Sequence, residues 1–220
     1  MRKSLLVLIV TLLMVSLCAC NNSAPTEDNT GETPVEKMQI TVSAAASLQD
    51  AMEELKETYE SENENIELVV NYGSSGALMK QIQEGAEVDL FISAAQKQMN
   101  ELEEMDLLIN ESRIDLLGND LVLLVNDNYK DKIKSVNDLL NLEDEMIAIG
   151  APDSVPAGKY ASEALTNLGL YEDLEDKFVL AKNVRQVVTY VESENVVAGF
   201  CYGSDTLIAT NSSIAEVIGE

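Results

Sequence analysis

Histidine is absent from the entire 220-residue sequence. The usual serine hydrolase needs a histidine base that a third group orients, so the absence excludes that arrangement. Metal sites lose their commonest side-chain ligand as well, and neither a cysteine cluster nor spaced carboxylates of the calcium-loop kind replace it. A serine with a lysine base is the catalytic arrangement that stays open, with Lys80 or Lys159 as the base.

Basic residues are scarce. The chain has 14 lysines and arginines against 39 aspartates and glutamates, which gives a formal net charge of −25 at pH 7. Because such a surface repels a phosphate backbone, we expect no nucleic acid partner. Acidic runs such as EELKE and ELEE are typical of solvated helix faces.

Cysteine occurs three times, and two of the three lie near the start of the chain. Residues 1–19 run from a basic start into an uncharged apolar stretch, the order typical of a secretory signal peptide. The stretch ends in LCAC, which resembles a bacterial lipobox. We therefore expect acylation of Cys20 and an extracytoplasmic protein anchored by lipid to the cell membrane. Residues 20–36 have almost no large apolar side chain and are predicted to form a disordered tether. Cys201 is left without a disulfide partner and is predicted to be a small buried residue.

Short apolar runs alternate with segments of helical period from residue 37 onward. The pairs are MQITVS with LQDAMEELKETY, IELVVNY with ALMKQI, VDLFIS with QKQMNELEEM, MIAIG with PAGKYASEALTNLG, and FVLA with NVRQVVTYVES, followed by VVAGFC. This alternation predicts an α/β fold with a mostly parallel sheet. The rhythm breaks at Gly118–Asp120, where two apolar runs meet without a helix, so we expect the chain to pass between two lobes there. We assign 37–118 and 203–220 to lobe 1 and 119–202 to lobe 2, with no convincing strand after residue 203.

Polar or proline-marked junctions stand where four of the predicted helices begin. Ser47, Ser75, the pair Pro156 and Ala157, and Asn183 before Val184 occupy them. The first turn of a helix carries unpaired N–H groups and the positive end of the helix dipole, so junctions that converge would form an anion site. Each serine or asparagine taken alone is better explained as a helix N-cap than as a ligand-binding residue. A P-loop is poorly supported, because GSSGALMK lacks the lysine followed by serine or threonine.

A set of longer motifs covers roughly residues 38–207. In chain order they are AAASLQDAM, YGSSGALMKQIQEGAEVDLFISA, GNDLVLLV, APDSVPAGKYASEAL, NVRQVVTYVE and CYGSD. In combination they resemble the molybdate-binding proteins of bacterial ABC transporters. The resemblance implies a two-lobed α/β fold of the type II periplasmic-binding-protein kind, with a ligand cleft between the lobes. It also implies a binding protein, not an enzyme, that holds an oxyanion through hydroxyl and backbone N–H donors without a cofactor.

The resemblance implies an oxyanion-binding role for five residues: Ser47, Ser75, Ala157, Val184 and Tyr202. The expected ligand is molybdate or tungstate, which a monomeric protein would deliver to an ABC permease in the membrane. Hinge motion at Gly118–Asp120 and near Tyr202–Ser204 would close the lobes. Arg185 is the one cation beside these positions, and we expect it to pair with acidic groups.

Two alternatives stay open. The same fold could bind sulfate or another tetrahedral oxyanion, and a serine-lysine hydrolase is the alternative from another class. Members of the family continue past the point that corresponds to Glu220, with a further strand and helices. The resemblance therefore leads us to expect a shortened first lobe with an open sheet edge.

Overall fold

The structure is a computed structural model that describes residues 37–109 and 111–219. The strands are β1 (Met38–Ala45), β2 (Ile66–Gly73), β3 (Leu90–Ile92), β4 (Leu121–Asn126), β5 (Ile147–Gly150), β6 (Phe178–Ala181), β7 (Ala198–Tyr202) and β8 (Ser212–Ile218). The helices are α1 (Gln49–Glu62), α2 (Ser75–Gln83), α3 (Gln96–Glu104), α4 (Pro156–Asn167), α5 (Tyr171–Leu174) and α6 (Val184–Glu192). Short 3-10 helices cover Ala46–Leu48, Val136–Asn141, Glu175–Lys177 and Gly203–Ile208.

The first lobe is built on a parallel three-stranded sheet in the order β2-β1-β3. Its central strand becomes progressively more buried towards its carboxyl end, which is why the ITVSAAA run reads as almost continuously apolar. The buried core of this lobe is small and contains Val42, Ala44 and Met52. Helix α2 returns over β1, so the strand ends and the helix starts share one edge of the sheet.

The second lobe is built on a five-stranded sheet in the order β6-β5-β7-β4-β8. Strand β5 runs parallel to β6 and β7, whereas β4 runs antiparallel to both of its neighbours. Every residue of β4 is buried, because sheet neighbours flank it and helices cover it. Cys201 lies in β7, fully buried and free, as predicted, and burial raises the pKa of its thiol.

The predicted alternation of strands and helices is confirmed, and so is the α/β class. The treatment of residues 203–220 is wrong in two respects. Residues Ser212–Ile218 form a strand, and this strand pairs with β4 in the second sheet, so it does not join β1 in the first. Its pattern was misleading because Glu216 interrupts the apolar residues; the carboxylate accepts a hydrogen bond from the N–H of Val136 at 2.7 Å.

The two predicted hinge segments lie side by side. Gly203 N–H donates to the carbonyl oxygen of Asp120 at 2.9 Å, and the amide of Asn119 donates to the hydroxyl of Ser204 at 2.7 Å. The hinge motion itself stays a prediction.

The predicted signal peptide (1–19), the acylated Cys20 and the tether (20–36) lie outside the described residues. Within the described part of the chain, no helix is long and apolar enough to cross a membrane.

Candidate functional site

The helix starts of each lobe gather at the carboxyl edge of its sheet. In the first lobe the register pairs Ala45 with Gly73 and Ala44 with Ile92, so β1, β2 and β3 end together. In the second lobe Gly150 pairs with Ala181, which brings together the loops that precede α4 and α6. Ligands of open α/β sheets bind at this kind of edge, outside the carboxyl ends of the strands.

Two serines of the first lobe lie at this edge, and their hydroxyls donate to no residue of the described part of the chain. Ser47 lies half-buried in the 3-10 helix that follows β1, and Ser75 is the first residue of α2 and fully buried. The Ser75 oxygen accepts a hydrogen bond from Ala94 N–H at 2.9 Å, which leaves its own hydrogen to donate. Neither serine is the N-cap that its position suggested. Ser74 caps α2 through Ala77 N–H, and the residue at the cap of α1 makes no side-chain cap hydrogen bond.

The second lobe contributes main-chain donors from two helix starts. Pro156 occupies the first position of α4 and Ala157 the second, and Asn183 caps α6 by accepting from Gln186 N–H at 2.9 Å, as predicted. The N–H groups of Ala157 and Val184 make no hydrogen bond with any described residue. Both belong to first turns, so they face out of the helix along its axis. Gly158 allows α4 to pack closely against the end of β5, since a Cβ at position 158 would lie 1.8 Å from the carbonyl oxygen of Gly150.

Tyr202 ends β7 at the same edge and is buried. Among the described residues its hydroxyl has no hydrogen-bond partner, and burial raises its pKa, with Tyr160 and Asp205 close enough to add to the effect. The Asp205 carboxylate lies behind it and accepts the Tyr202 N–H at 3.0 Å. Burial raises the pKa of Asp205 to about 6. The phenol is therefore a neutral donor, and it stays so throughout the physiological range.

Two contacts join the edges of the two lobes. The N–H of Gly76, in the first turn of α2, donates to the carbonyl oxygen of Ser154 at 3.0 Å. The guanidinium of Arg185 binds the carboxylate of Asp50 through both terminal nitrogens, and the Nη2–Oδ1 distance is 2.8 Å. The prediction that Arg185 pairs with an acidic group is thus confirmed. The five predicted binding residues lie on these two joined edges, three of them in the second lobe.

The five predicted binding residues offer neutral hydrogen-bond donors at this edge. Lys159, one of the two lysines considered as a base, pairs with Glu163 at 3.4 Å, and no described hydrogen bond joins either lysine to Ser75. Across residues 37–109 and 111–219, no group of three or more histidine, cysteine, aspartate or glutamate side chains could hold a metal ion. The arrangement suits an anion that needs hydrogen-bond donors and no base.

The sequence did not predict the roles of three residues at these edges. Gly76 is needed because a Cβ there would lie 2.6 Å from the Ser154 oxygen, and Asp50 was not distinguished from the other acidic residues of its helix. Asp205 was not distinguished from the other acidic residues either, although it is buried. The only local signal was the pair of glycines around the serines in GSSG.

Two α/β lobes whose strand ends and helix starts meet across a cleft define a type II periplasmic-binding-protein fold. The chain belongs to the family of bacterial extracellular solute-binding proteins, whose sequence profile matches residues 40–219.

Individual relatives agree with this assignment. The Bacillus subtilis protein YvgL, named as a substrate-binding lipoprotein of an ABC transporter, is 42% identical over 204 residues, which cover 93% of this chain and 75% of the relative. A Haemophilus influenzae protein named molybdate-binding protein is 38% identical over 176 residues, 78% of this chain and 68% of the relative. A solved Clostridium difficile structure, described as the substrate-binding domain of a molybdenum ABC transporter, is 45% identical with a TM-score of 0.61 and covers 83% of this chain and 79% of its own.

Proposed function

We propose that this protein captures molybdate or tungstate outside the cell and delivers it to an ABC permease. The observation that carries the proposal is the set of neutral donors on the facing lobe edges that bond to no acceptor within residues 37–109 and 111–219: the hydroxyls of Ser47, Ser75 and Tyr202 and the N–H groups of Ala157 and Val184. The names of the similar proteins support the same ligand class.

The chemistry of the ligand fits such a donor set. Molybdate at neutral pH is a dianion without a proton, so a cavity lined by donors satisfies all of its oxygens. Hydrogen phosphate carries a proton and would need an acceptor as well, so it would leave one polar group unpaired. A donor-only cavity therefore discriminates against phosphate without using charge. Sulfate is also free of protons, and its exclusion would rest on the size of the closed cavity.

The affinity can be reached without a cationic ligand. The five proposed donors, as charge-assisted hydrogen bonds at roughly 1.5 to 3 kcal/mol each, give about 7.5 to 15 kcal/mol. Lost translational and rotational freedom costs at least about 4 kcal/mol, and micromolar binding needs about 8 kcal/mol. After this cost is subtracted, the upper part of the hydrogen-bond range still exceeds about 8 kcal/mol, which corresponds to sub-micromolar affinity.

The remaining parts of the proposal concern location and assembly. We infer that the protein works as a monomer held at the outer face of the cell membrane by a lipid on Cys20, and that it has no catalytic activity. The similarity to a protein named a lipoprotein supports the anchor.

Titration calorimetry of the full chain with molybdate, tungstate, sulfate and phosphate tests the ligand. We expect one site per chain for molybdate and tungstate only. Ser75→Ala should raise the molybdate Kd about 10- to 150-fold, because it removes one hydroxyl that donates to a charged ligand. Ser162→Ala is the matched control, since the Ser162 hydroxyl donates to the Gly158 carbonyl within α4.

Circular dichroism of each variant separates lost binding from lost folding, because Ser75→Ala also leaves Ala94 N–H without its acceptor. A folded wild-type chain that binds none of the four anions contradicts the proposal. Covalent labelling of Ser75 by a serine-directed probe would instead favour the hydrolase alternative.

A further inference from the structure

Arg185 and Asp50 each stand next to a residue of the proposed site. Arg185 follows Val184 at the start of α6 in the second lobe, and Asp50 lies in the first turn of α1, three residues after Ser47 in the first lobe. Their bidentate pair joins positions 135 residues apart in the sequence. Helix α6 also lies close to the 3-10 helix that contains Ser47.

The guanidinium of Arg185 uses both of its terminal nitrogens to bind Asp50. These hydrogen bonds raise the pKa of Arg185 and lower that of Asp50. The Arg185 side chain is 23% exposed and the Asp50 side chain 53% exposed, so the pair lies at the rim and is only partly screened by solvent. The buried carboxylate of Asp205 is close enough to the guanidinium to raise the pKa of Arg185 further.

We propose that the Arg185–Asp50 pair is an interlobe clamp, which positions the donors beside Val184 and Ser47 for the same ligand and does not itself touch it. The clamp rests on the proposed function only for the nature of the ligand. Arg185 and Asp50 are positioning residues in this scheme.

The sign of the effect of one variant distinguishes a clamp from simple electrostatics. Asp50→Asn removes a negative charge close to an anion site, so electrostatics alone predicts tighter binding. A clamp predicts weaker binding, because the closed arrangement loses one of its contacts. Arg185→Gln weakens binding under either account, which makes Asp50→Asn the decisive change.

Gly76 N–H reports closure without any ligand. It lies in the first turn of α2, where it has no partner within the helix, and its hydrogen bond to Ser154 crosses the cleft. Its exchange with solvent deuterium should therefore follow opening of the lobes. The next two amides of the same helix are internal references, since Ala77 N–H and Leu78 N–H both bond to Ser74.

The experiment compares the full chain with Asp50→Asn, Arg185→Gln and the double variant, measuring NMR-detected exchange at Gly76 and the Kd of molybdate. Loss of an exposed ion pair of this kind should change an equilibrium constant, here that of lobe opening or of ligand binding, about two- to fivefold. We expect Asp50→Asn to speed exchange of Gly76 by about that factor without moving Ala77 or Leu78, and to raise the Kd. The double variant should be no worse than Arg185→Gln. Glu54→Gln, the same change of charge on an exposed side chain of α1, is the control for net charge.

The outcomes separate the clamp from the ligand assignment. Unchanged exchange at Gly76, or tighter binding by Asp50→Asn, overturns the clamp. Faster exchange at Gly76 in a protein that binds none of the anions supports the clamp and rejects the proposed ligand. An additive double variant shows that the two residues act separately, which also overturns the clamp.

Discussion

Replacing Val184 with proline deletes one proposed ligand donor and keeps the start of the helix intact. Val184 is the first residue of α6, a position where proline is favoured because its ring matches the helical φ and the missing N–H has no partner inside the helix. The preceding residue, Asn183, has φ −156° and ψ 170°, an extended conformation that a following proline accepts. The cap from Asn183 to Gln186 N–H is untouched.

The expected magnitude follows from the type of hydrogen bond. A donor to a charged acceptor contributes roughly 1.5 to 3 kcal/mol, so the molybdate Kd of Val184→Pro should rise about 10- to 150-fold. Calorimetric titration measures the Kd, and thermal unfolding should show a loss of stability similar to that of Val184→Ala, because proline also lacks the branched side chain that valine packs into the core.

Val184→Ala is the matched control. It keeps the N–H but loses two methyl groups from a side chain that is only 4% exposed, so it should cost stability and leave the Kd within about threefold of the wild type. Wild-type affinity in Val184→Pro would show that this N–H does not contact the ligand, and the reasoning from free helix-start donors would fail.

Two further predictions concern stability. Gly158→Ala should lower the free energy of unfolding by at least about 3 kcal/mol, because its Cβ would lie 1.8 Å from the Gly150 carbonyl oxygen. Gly118→Ala, whose Cβ would have nothing within 4 Å, should change the free energy of unfolding by less than about 1 kcal/mol. Urea unfolding measures both variants, and equal effects would contradict the close packing of α4 against Gly150. Asp205 has its pKa raised by burial from 3.8 to about 6, so the folded state holds the proton more tightly and this group lowers stability as the pH rises from about 4 to 6. Relative to the wild type, the free energy of unfolding of Asp205→Asn should therefore increase by up to about 3 kcal/mol between pH 4 and pH 7, as measured by urea unfolding. A difference that does not change with pH would refute the raised pKa of Asp205.

The elements of the fold were predictable where the pattern is local. Apolar runs bounded by helical segments identified β1 to β7 and the longer helices, because burial of a strand on both faces leaves a continuous apolar signature. Strand β8 was missed for a physical reason. It is an edge strand whose neighbour β4 lies some 90 positions earlier in the sequence, and its Glu216 points to a backbone N–H that only the folded chain supplies.

The sequence predicted which strand-to-helix junctions form the candidate site, but it did not predict which atoms at each junction make which hydrogen bonds. The sequence offered Ser75 as a cap, whereas the extended backbone at Ser74, with φ −68° and ψ 143°, places that serine at the cap position. The contacts between lobes were beyond reach, since neither Gly76 with Ser154 nor Asp50 with Arg185 leaves a local pattern.

The use of main-chain N–H groups at Ala157 and Val184 has a consequence for how such a site can be studied. An alanine scan would leave position 157 unchanged and would keep the donor at position 184, so two of the five proposed contacts would be invisible to it. Proline replacement, or chemical replacement of the amide by an ester, is the scan that this architecture requires.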